Sequence, residues 1–226
     1  MNDVYKKMVD SAMKNKYIYH YTSKEALEKI LENNSLRLTR LDLVNDPEEN
    51  KRITSIWNKK VFVACFTTTL NNEEYFVNHY AKEGVRIVFK TESIIKAQLF
   101  YDESCINAIS HFTKTSLQHK SYKETSDWVV FDNSLLDIFY TNDISQFNSS
   151  YGESNAGVIK NKIGIDISGM SRNWEIENET RLRVALRPLG IENDYNHQKK
   201  TYEQPFPPFK YIYMDISKCI QKVEEL

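Results

Sequence analysis

The spacing of hydrophobic and polar residues predicts helices and strands in alternation at the start of the chain. Apolar residues recur at helical spacing over 4–13, and the short aromatic run 17–21 is typical of a strand. Thr22 and Glu25 have the spacing of a capping box, which predicts a second helix with an apolar face that ends at Asn33. This part of the sequence therefore indicates a helix, a strand and a helix.

Strand patterns then dominate as far as residue 90. Residues 35–39 alternate apolar and polar side chains, while 61–66 and 85–89 are nearly continuous apolar runs. The stretch 72–82 between these runs predicts a helix that closes on Gly84. A further helix, through Ile53 and Ile56, is predicted after the break at Asn45, Asp46 and Pro47.

The middle of the chain has a weaker pattern. We predict a variable, mainly helical insertion around 93–171, with helices near 93–99, 103–118 and 134–139. Alternation returns at 175–186, which predicts a strand, and 211–214 predicts another. Because no repeat or long linker divides the sequence, we expect one α+β domain over residues 1–226.

Composition and charge narrow the class of protein. The 226 residues are 41% hydrophobic and 27% charged, with few glycines and prolines, which is typical of one folded domain. The 30 Lys and Arg residues are balanced by 31 Asp and Glu residues, so no net positive charge attracts nucleic acid or membranes indiscriminately. The odd number of widely spaced cysteines and the polar N-terminus favour a cytoplasmic protein without a membrane partner.

The most unusual feature is a row of acidic residues near the end of the chain. In an extended strand, Glu175, Glu177, Glu179 and Arg181 would project from the same side. Crowded carboxylates raise one another's pKa unless a cation, a ligand or a polar cleft compensates, so the row is a candidate site. A solvated strand face, neutralised by Arg181 and Arg183, is the structural alternative.

Two shorter patterns add candidates. His20, with aromatic neighbours on both sides, precedes a predicted helix start, where free N–H groups attract anions; a satisfied core histidine is the alternative. His79 and Tyr80 would supply an imidazole and a stacking ring, or a surface histidine and a core aromatic. The signatures of P-loop, Rossmann, zincin and α/β-hydrolase proteins do not occur in the sequence.

Taken together, these patterns resemble a bacterial domain-of-unknown-function family. The family pattern Y-H-Y-T, N-D-P, H-Y-A and W-x-x-E-x-E-x-R is matched in order and spacing, from Tyr19 to Arg181, except that Val77 replaces a usual tryptophan. That family in turn resembles the ADP-ribosyltransferase superfamily, which has a histidine on the first strand and a glutamate on a late strand. The resemblance implies a split central mixed β-sheet flanked by helices.

The resemblance also implies a function and a set of site residues. We expect a mono-ADP-ribosyltransferase that uses NAD, acting as a toxin or in phage defence on a nucleic acid or protein acceptor, with an antitoxin as a further partner. The expected catalytic residues are Glu179, beside the nicotinamide ribose, and Glu177, beside the acceptor. The expected NAD-binding residues are His20, Tyr21, Thr22, His79, Tyr80 and Arg181, and no metal is expected.

Two other functions fit the same residues. A non-catalytic nucleotide or ligand-binding module would keep the cleft without needing Glu179. A metal-dependent nuclease would use Asp46 with Glu177 and Glu179, because clustered carboxylates also bind Mg²⁺.

Overall fold

The computed structural model of the chain describes residues 2–47, 58–81, 84–101, 104–105, 107–108, 128–143, 157–188, 195–196, 201–202 and 207–226. The helices in this part of the chain are α1 (Asn2–Met13), α2 (Lys24–Glu32), α3 (Glu73–Tyr80) and α4 (Thr91–Lys96). Within the same residues, no helix combines the length and the apolar character needed to cross a membrane.

Strands make up most of the described chain. In chain order they are β1 (Tyr17–Thr22), β2 (Ser35–Arg40), β3 (Val61–Thr67), β4 (Val85–Lys90), β5 (Leu99–Tyr101), β6 (Ser104–Cys105), β7 (Asn107–Ala108), β8 (Trp128–Asp137), β9 (Phe139–Thr141), β10 (Ile159–Asn161), β11 (Ile163–Ile165), β12 (Ser171–Asn173), β13 (Glu179–Pro188), β14 (Tyr195–Asn196), β15 (Thr201–Tyr202), β16 (Tyr211–Asp215) and β17 (Ile220–Glu225). The fold is mixed α and β, compatible with the predicted α+β class.

The main sheet is curled, mostly antiparallel and centred on β3. One edge of β3 pairs along its whole length with β13, which in turn pairs with β8. The other edge is shared, because β1 pairs with β3 at Thr67 whereas β2 pairs with it at Val63 and Phe62. From there β1 continues to β4 and β17, and β2 continues to β16 and β5. The sheet therefore opens between β1 and β2.

The hydrophobic core lies against β3 and β13. Leu182, Val184 and Leu186 of β13 point into it, together with Phe62 and Ala64 of β3. Successive residues of β13 point to alternate faces, so Glu179, Arg181 and Arg183 lie on the face opposite the core. These three side chains are nevertheless buried as well. A second layer covers that face, formed by α1, β9 and β10 around a smaller apolar cluster.

Several predicted elements are confirmed, with small shifts at their ends. The cap of α2 is one residue later than predicted, because the Ser23 side chain, not Thr22, accepts from the Ala26 N–H at 3.1 Å. The predicted strands 35–39, 61–66, 85–89 and 211–214 correspond to β2, β3, β4 and β16. The helix predicted through Ile53 and Ile56 lies outside the described residues.

The prediction for the middle of the chain needs correction. The predicted helix 134–139 is wrong, since these residues continue β8 and lead into β9. The helix predicted near 93–99 corresponds to α4, which begins and ends two to three residues earlier, and the remaining described residues up to 171 are mainly strands. Most of the predicted helix 103–118, the part from 109 onward, lies outside the described residues.

Candidate functional site

The opening of the sheet forms a cleft of about 980 Å³. Helix α2 connects the two diverging strands and contributes one wall, while β3 forms the floor with Val63, Ala64 and Cys65. Three of the predicted site residues, His20, Thr22 and Tyr80, line this cleft. A cleft at the point where neighbouring strands separate is a common place for ligands to bind.

His20 is fixed to the floor of the cleft by its own ring. Its Nδ1 lies 2.9 Å from the carbonyl oxygen of Cys65, and its edge contacts Phe66 with ring centroids 5.8 Å apart. Desolvation lowers the pKa of His20, although the bond to the carbonyl opposes this effect. Because a carbonyl only accepts, Nδ1 carries the proton, and the neutral ring keeps Nε2 as an acceptor.

Glu179 and Arg181 lie beside this floor on β13. The register places Arg181 opposite Cys65 and Glu179 opposite Thr67. Arg181 binds the Glu179 carboxylate through Nε and, at 3.2 Å, through its second terminal nitrogen. It also donates to the Gly157 carbonyl at 3.3 Å. Both side chains are almost completely buried, with Glu179 only 3% exposed.

Lys160 and Glu177 complete a buried cluster of four charges. The ammonium of Lys160 lies 3.2 Å from Glu179 Oε2 and 3.5 Å from Glu177 Oε2. Tyr80 donates to Glu177 Oε1 at 2.5 Å, and Tyr75 donates to the same oxygen at 3.3 Å. We refer to Lys160, Glu177, Glu179 and Arg181 as the charge cluster. Two carboxylates and two cations make it formally neutral, which makes its burial tolerable.

The two carboxylates of the charge cluster have different proton affinities. Desolvation and the neighbouring Glu179 raise the pKa of Glu177, and Lys160 only partly offsets them. Desolvation acts on Glu179 as well, but the adjacent Arg181 and Lys160 outweigh it and hold the pKa of Glu179 well below its usual range. Environments that give two neighbouring carboxyl groups different pKa values are typical of sites where one group acts as an acid and the other as a base.

Cys65 connects the cleft to the charge cluster. Its side chain is exposed on the cleft floor, and its thiol lies near enough to the Glu179 carboxylate for each group to shift the pKa of the other. Its backbone carbonyl accepts from His20, so Cys65 bonds the early histidine and lies near the late glutamate. Desolvation at the floor, followed by the charge of Glu179, raises the pKa of the thiol well above its usual range. The thiol is therefore neutral at pH 7.

Three predicted binding residues, Tyr21, His79 and Arg181, do not line the cleft, and neither do the two predicted catalytic glutamates. Tyr21 alternates with His20 along β1, so its ring points to the other face, where it stacks on Phe76 with centroids 4.4 Å apart. His79 is exposed on α3 and packs edge-on against Tyr75 at 4.3 Å. Successive helix residues point about 100° apart, so Tyr80 reaches the cleft while His79 does not.

The predicted row of carboxylates on one strand is also wrong. Trp174–Glu177 is a 3₁₀ helix, and β13 begins only at Glu179, after Asn178 adopts a left-handed conformation with φ of 41°. Glu175 consequently points to solvent and pairs with Lys162 at 2.8 Å. The turn instead brings Glu177 back toward Glu179, on either side of Lys160.

Sequence reasoning missed Lys160 and did not assign a role to Cys65. Neither residue belongs to a recognisable motif, and Lys160 is one of several lysines in a polar stretch. Among the described residues, no group of three His, Cys, Asp or Glu side chains is arranged to hold a metal ion. Asp46 in particular does not join Glu177 and Glu179 in such a group.

No protein-family model, curated protein or solved structure shows significant similarity to the chain.

Proposed function

We propose that the cleft binds NAD and that the protein is a mono-ADP-ribosyltransferase with an ADP-ribosyltransferase-like split sheet. The observation that carries this proposal is that β1 and β13 bring His20 and Glu179 to the same part of β3: His20 bonds the Cys65 carbonyl, and Arg181, which binds Glu179, pairs with Cys65 across the strands. The resemblance in sequence implies these two residues in one site, and the position of the cleft between β1 and β2 supports the split sheet.

The size and lining of the cleft fit a dinucleotide. Ligand sites of about 300–1,000 Å³ are usual for cofactor-sized molecules, and this cleft lies at the upper end of that range. His20 Nε2 and the Thr22 hydroxyl offer polar partners for ribose hydroxyl groups, and Tyr80 offers a ring for stacking on nicotinamide. Arg181 is engaged with Glu179, so its role in this proposal is to keep that carboxylate ionised rather than to bind the diphosphate.

The chemistry assigns separate roles to the two glutamates. The bond between ribose C1′ and the pyridinium nitrogen breaks, and its electron pair leaves with nicotinamide, which becomes neutral. Positive charge then develops on the ribose, where the Glu179 carboxylate stabilises it. The acceptor attacks C1′ and gives up its proton to the Glu177 carboxylate, whose raised pKa suits a base that must hold a proton.

Label transfer tests the proposal directly. Purified protein is incubated with cell extract and NAD labelled in its adenylate half, and incorporation into macromolecules is measured. We expect transfer by the wild type, at least ~100-fold less by Glu179→Gln, and unchanged transfer by the control Glu175→Gln, whose side chain is exposed. Digesting the product with nuclease or protease identifies the acceptor class. Equal transfer by wild type and Glu179→Gln would contradict the catalytic role.

The burial of Glu179 favours one alternative. At 3% exposure, with Arg181 and Lys160 in contact, Glu179 does not itself line the cleft, whereas the nearby Cys65 does. A non-catalytic binding module fits this burial, because it needs no carboxylate in contact with the ligand. It predicts that NAD or another nucleotide binds with a measurable Kd by calorimetry, that no nicotinamide is released, and that Glu179→Gln leaves the Kd unchanged.

A further inference from the structure

Lys160 occupies the centre of the charge cluster. It lies on β10, opposite Tyr140 of the parallel strand β9, and is 2% exposed. Its ammonium contacts Oε2 of both Glu177 and Glu179 and lies 3.9 Å from the centroid of the Trp174 ring. A cation held between two carboxylates and an aromatic face has little freedom to move.

The contacts of Lys160 and Arg181 are different. Arg181 binds Glu179 with two nitrogens from the same strand, two residues away. Lys160 comes from a separate strand and bridges the two glutamates. If its charge were removed, two buried carboxylates would share one guanidinium, and electrostatic repulsion would favour protonation of one of them. Lys160 therefore connects the geometry of Glu177 to that of Glu179.

Other partners of the two glutamates do not replace this bridge. The Tyr140 hydroxyl accepts from the backbone N–H of Glu179 at 3.0 Å, and the Tyr80 hydroxyl binds Glu177 alone. The thiol of Cys65 lies near Glu179 alone. These groups orient one glutamate each and are neutral at pH 7, because desolvation and the nearby carboxylates raise the pKa of both tyrosines.

We propose that Lys160 is a positioning residue of the transferase site, which holds the carboxylates of Glu177 and Glu179 at fixed separation so that both work on one substrate. This inference rests on the proposed function. Lys160 does not touch the substrate and acts through the two glutamates. The resulting expectation is that loss of its charge lowers kcat, while the cleft walls that bind NAD are preserved.

The test compares Lys160→Met and Lys160→Gln, which remove the charge, with Lys160→Arg, which retains it. The matched control is Lys162→Met, which breaks the exposed pair with Glu175 two residues away. Circular dichroism establishes that each variant is folded. Nicotinamide release from NAD gives kcat and KM as functions of pH.

For the charge-removing variants we expect kcat to fall ~100-fold, while KM stays within ~3-fold of the wild-type value. The acidic limb of the plot of kcat against pH should also shift, because the titration of Glu177 changes. Lys160→Arg should restore at least a tenth of the wild-type kcat, and Lys162→Met should match the wild type. A folded Lys160→Met or Lys160→Gln with kcat within ~3-fold of wild type, or with a loss confined to KM, would overturn the proposal.

A second readout does not depend on activity. Carboxyl ¹³C NMR follows the titration of Glu177 and Glu179 in wild type and in Lys160→Gln. We expect separate titrations in the wild type, with Glu177 taking up its proton at the higher pH, and a further upward shift of Glu177 in the variant. Unchanged titrations in the variant would overturn the role of Lys160, even if the wild type had no activity toward NAD. Absence of NAD activity together with shifted titrations would count against the proposed function alone.

Discussion

Replacing Glu179 by glutamine should destabilise the fold strongly, because the charge cluster would keep two buried cations and lose half of its negative charge. Glutamine has almost the same volume, so no cavity is formed and the effect is electrostatic. The carboxylate contacts Arg181 through two nitrogens and Lys160 at 3.2 Å. Removing one member of a buried ion pair costs about 3–5 kcal/mol. We expect a loss near the lower limit, ~3 kcal/mol, because Glu177 still contacts Lys160.

The pH dependence gives this prediction a characteristic sign. The folded pKa of Glu179 is depressed from an ordinary value of 4.5, so its contribution to stability is fully present above that value. As the pH falls below 4.5 toward the folded pKa, the contribution is lost. The difference in the free energy of unfolding between wild type and Glu179→Gln should therefore be constant between about pH 6 and 7 and should shrink on acidification.

Urea unfolding followed by tryptophan fluorescence measures this difference, since Trp128 and Trp174 are buried. Glu175→Gln is the control, because its partially exposed pair with Lys162 is worth at most ~1 kcal/mol. Equal destabilisation by the two substitutions, or a Glu179→Gln effect that does not decrease below pH 4.5, would refute the electrostatic account of the cluster.

Three further predictions concern the cleft. Alkylation of Cys65, measured by peptide mass spectrometry, should be slow at pH 7 and should accelerate with rising pH as the thiolate forms. NAD should block this reaction, and labelling that is unaffected by saturating NAD would be inconsistent with a ligand on the cleft floor. His20→Ala should raise KM for NAD ~10-fold through a lost hydrogen bond, whereas His79→Ala, outside the cleft, should leave KM unchanged. A larger rise in KM for His79→Ala than for His20→Ala would contradict the placement of NAD in the cleft. Gly84→Ala should cost ~1–3 kcal/mol in thermal unfolding, because its Cβ would lie 2.3 Å from the Thr22 carbonyl oxygen, and an unchanged Tm would contradict that packing.

The sequence predicted elements where one periodicity dominates. The apolar stripe of α2 and the alternation in β2 and β16 are clear because one face of each element packs toward the core, only half-buried in α2, and the other is more exposed. The sequence of β8 suggests a helix in part, because the consecutive residues Leu135 and Leu136 are buried on opposite faces of the strand and the apolar pattern does not alternate. β17 was missed because its sequence is mostly polar and its side chains are largely exposed at the sheet edge.

The sequence identified a site residue only where both its type and its position in a motif indicated the site. His20 and Glu179 were identified through their motifs, and the structure places both on strands that pair with β3 near Cys65. The relation of Glu177 to Glu179 was predicted for the wrong reason, because a 3₁₀ turn and the left-handed Asn178, not a shared strand, bring them together. Lys160 follows a Ser-, Asn- and Gly-rich stretch, and its role depends on the pairing of β9 with β10, which local sequence does not encode.

The most direct test of the central claim is a crystal structure with a non-hydrolysable NAD analogue. We predict that the analogue occupies the cleft between β1 and β2, with one ribose at His20 and C1′ of the nicotinamide ribose within ~4.5 Å of the Glu179 carboxylate, beside Cys65. An analogue bound elsewhere, or one in the cleft whose nicotinamide ribose makes no contact with Glu179, would contradict the account.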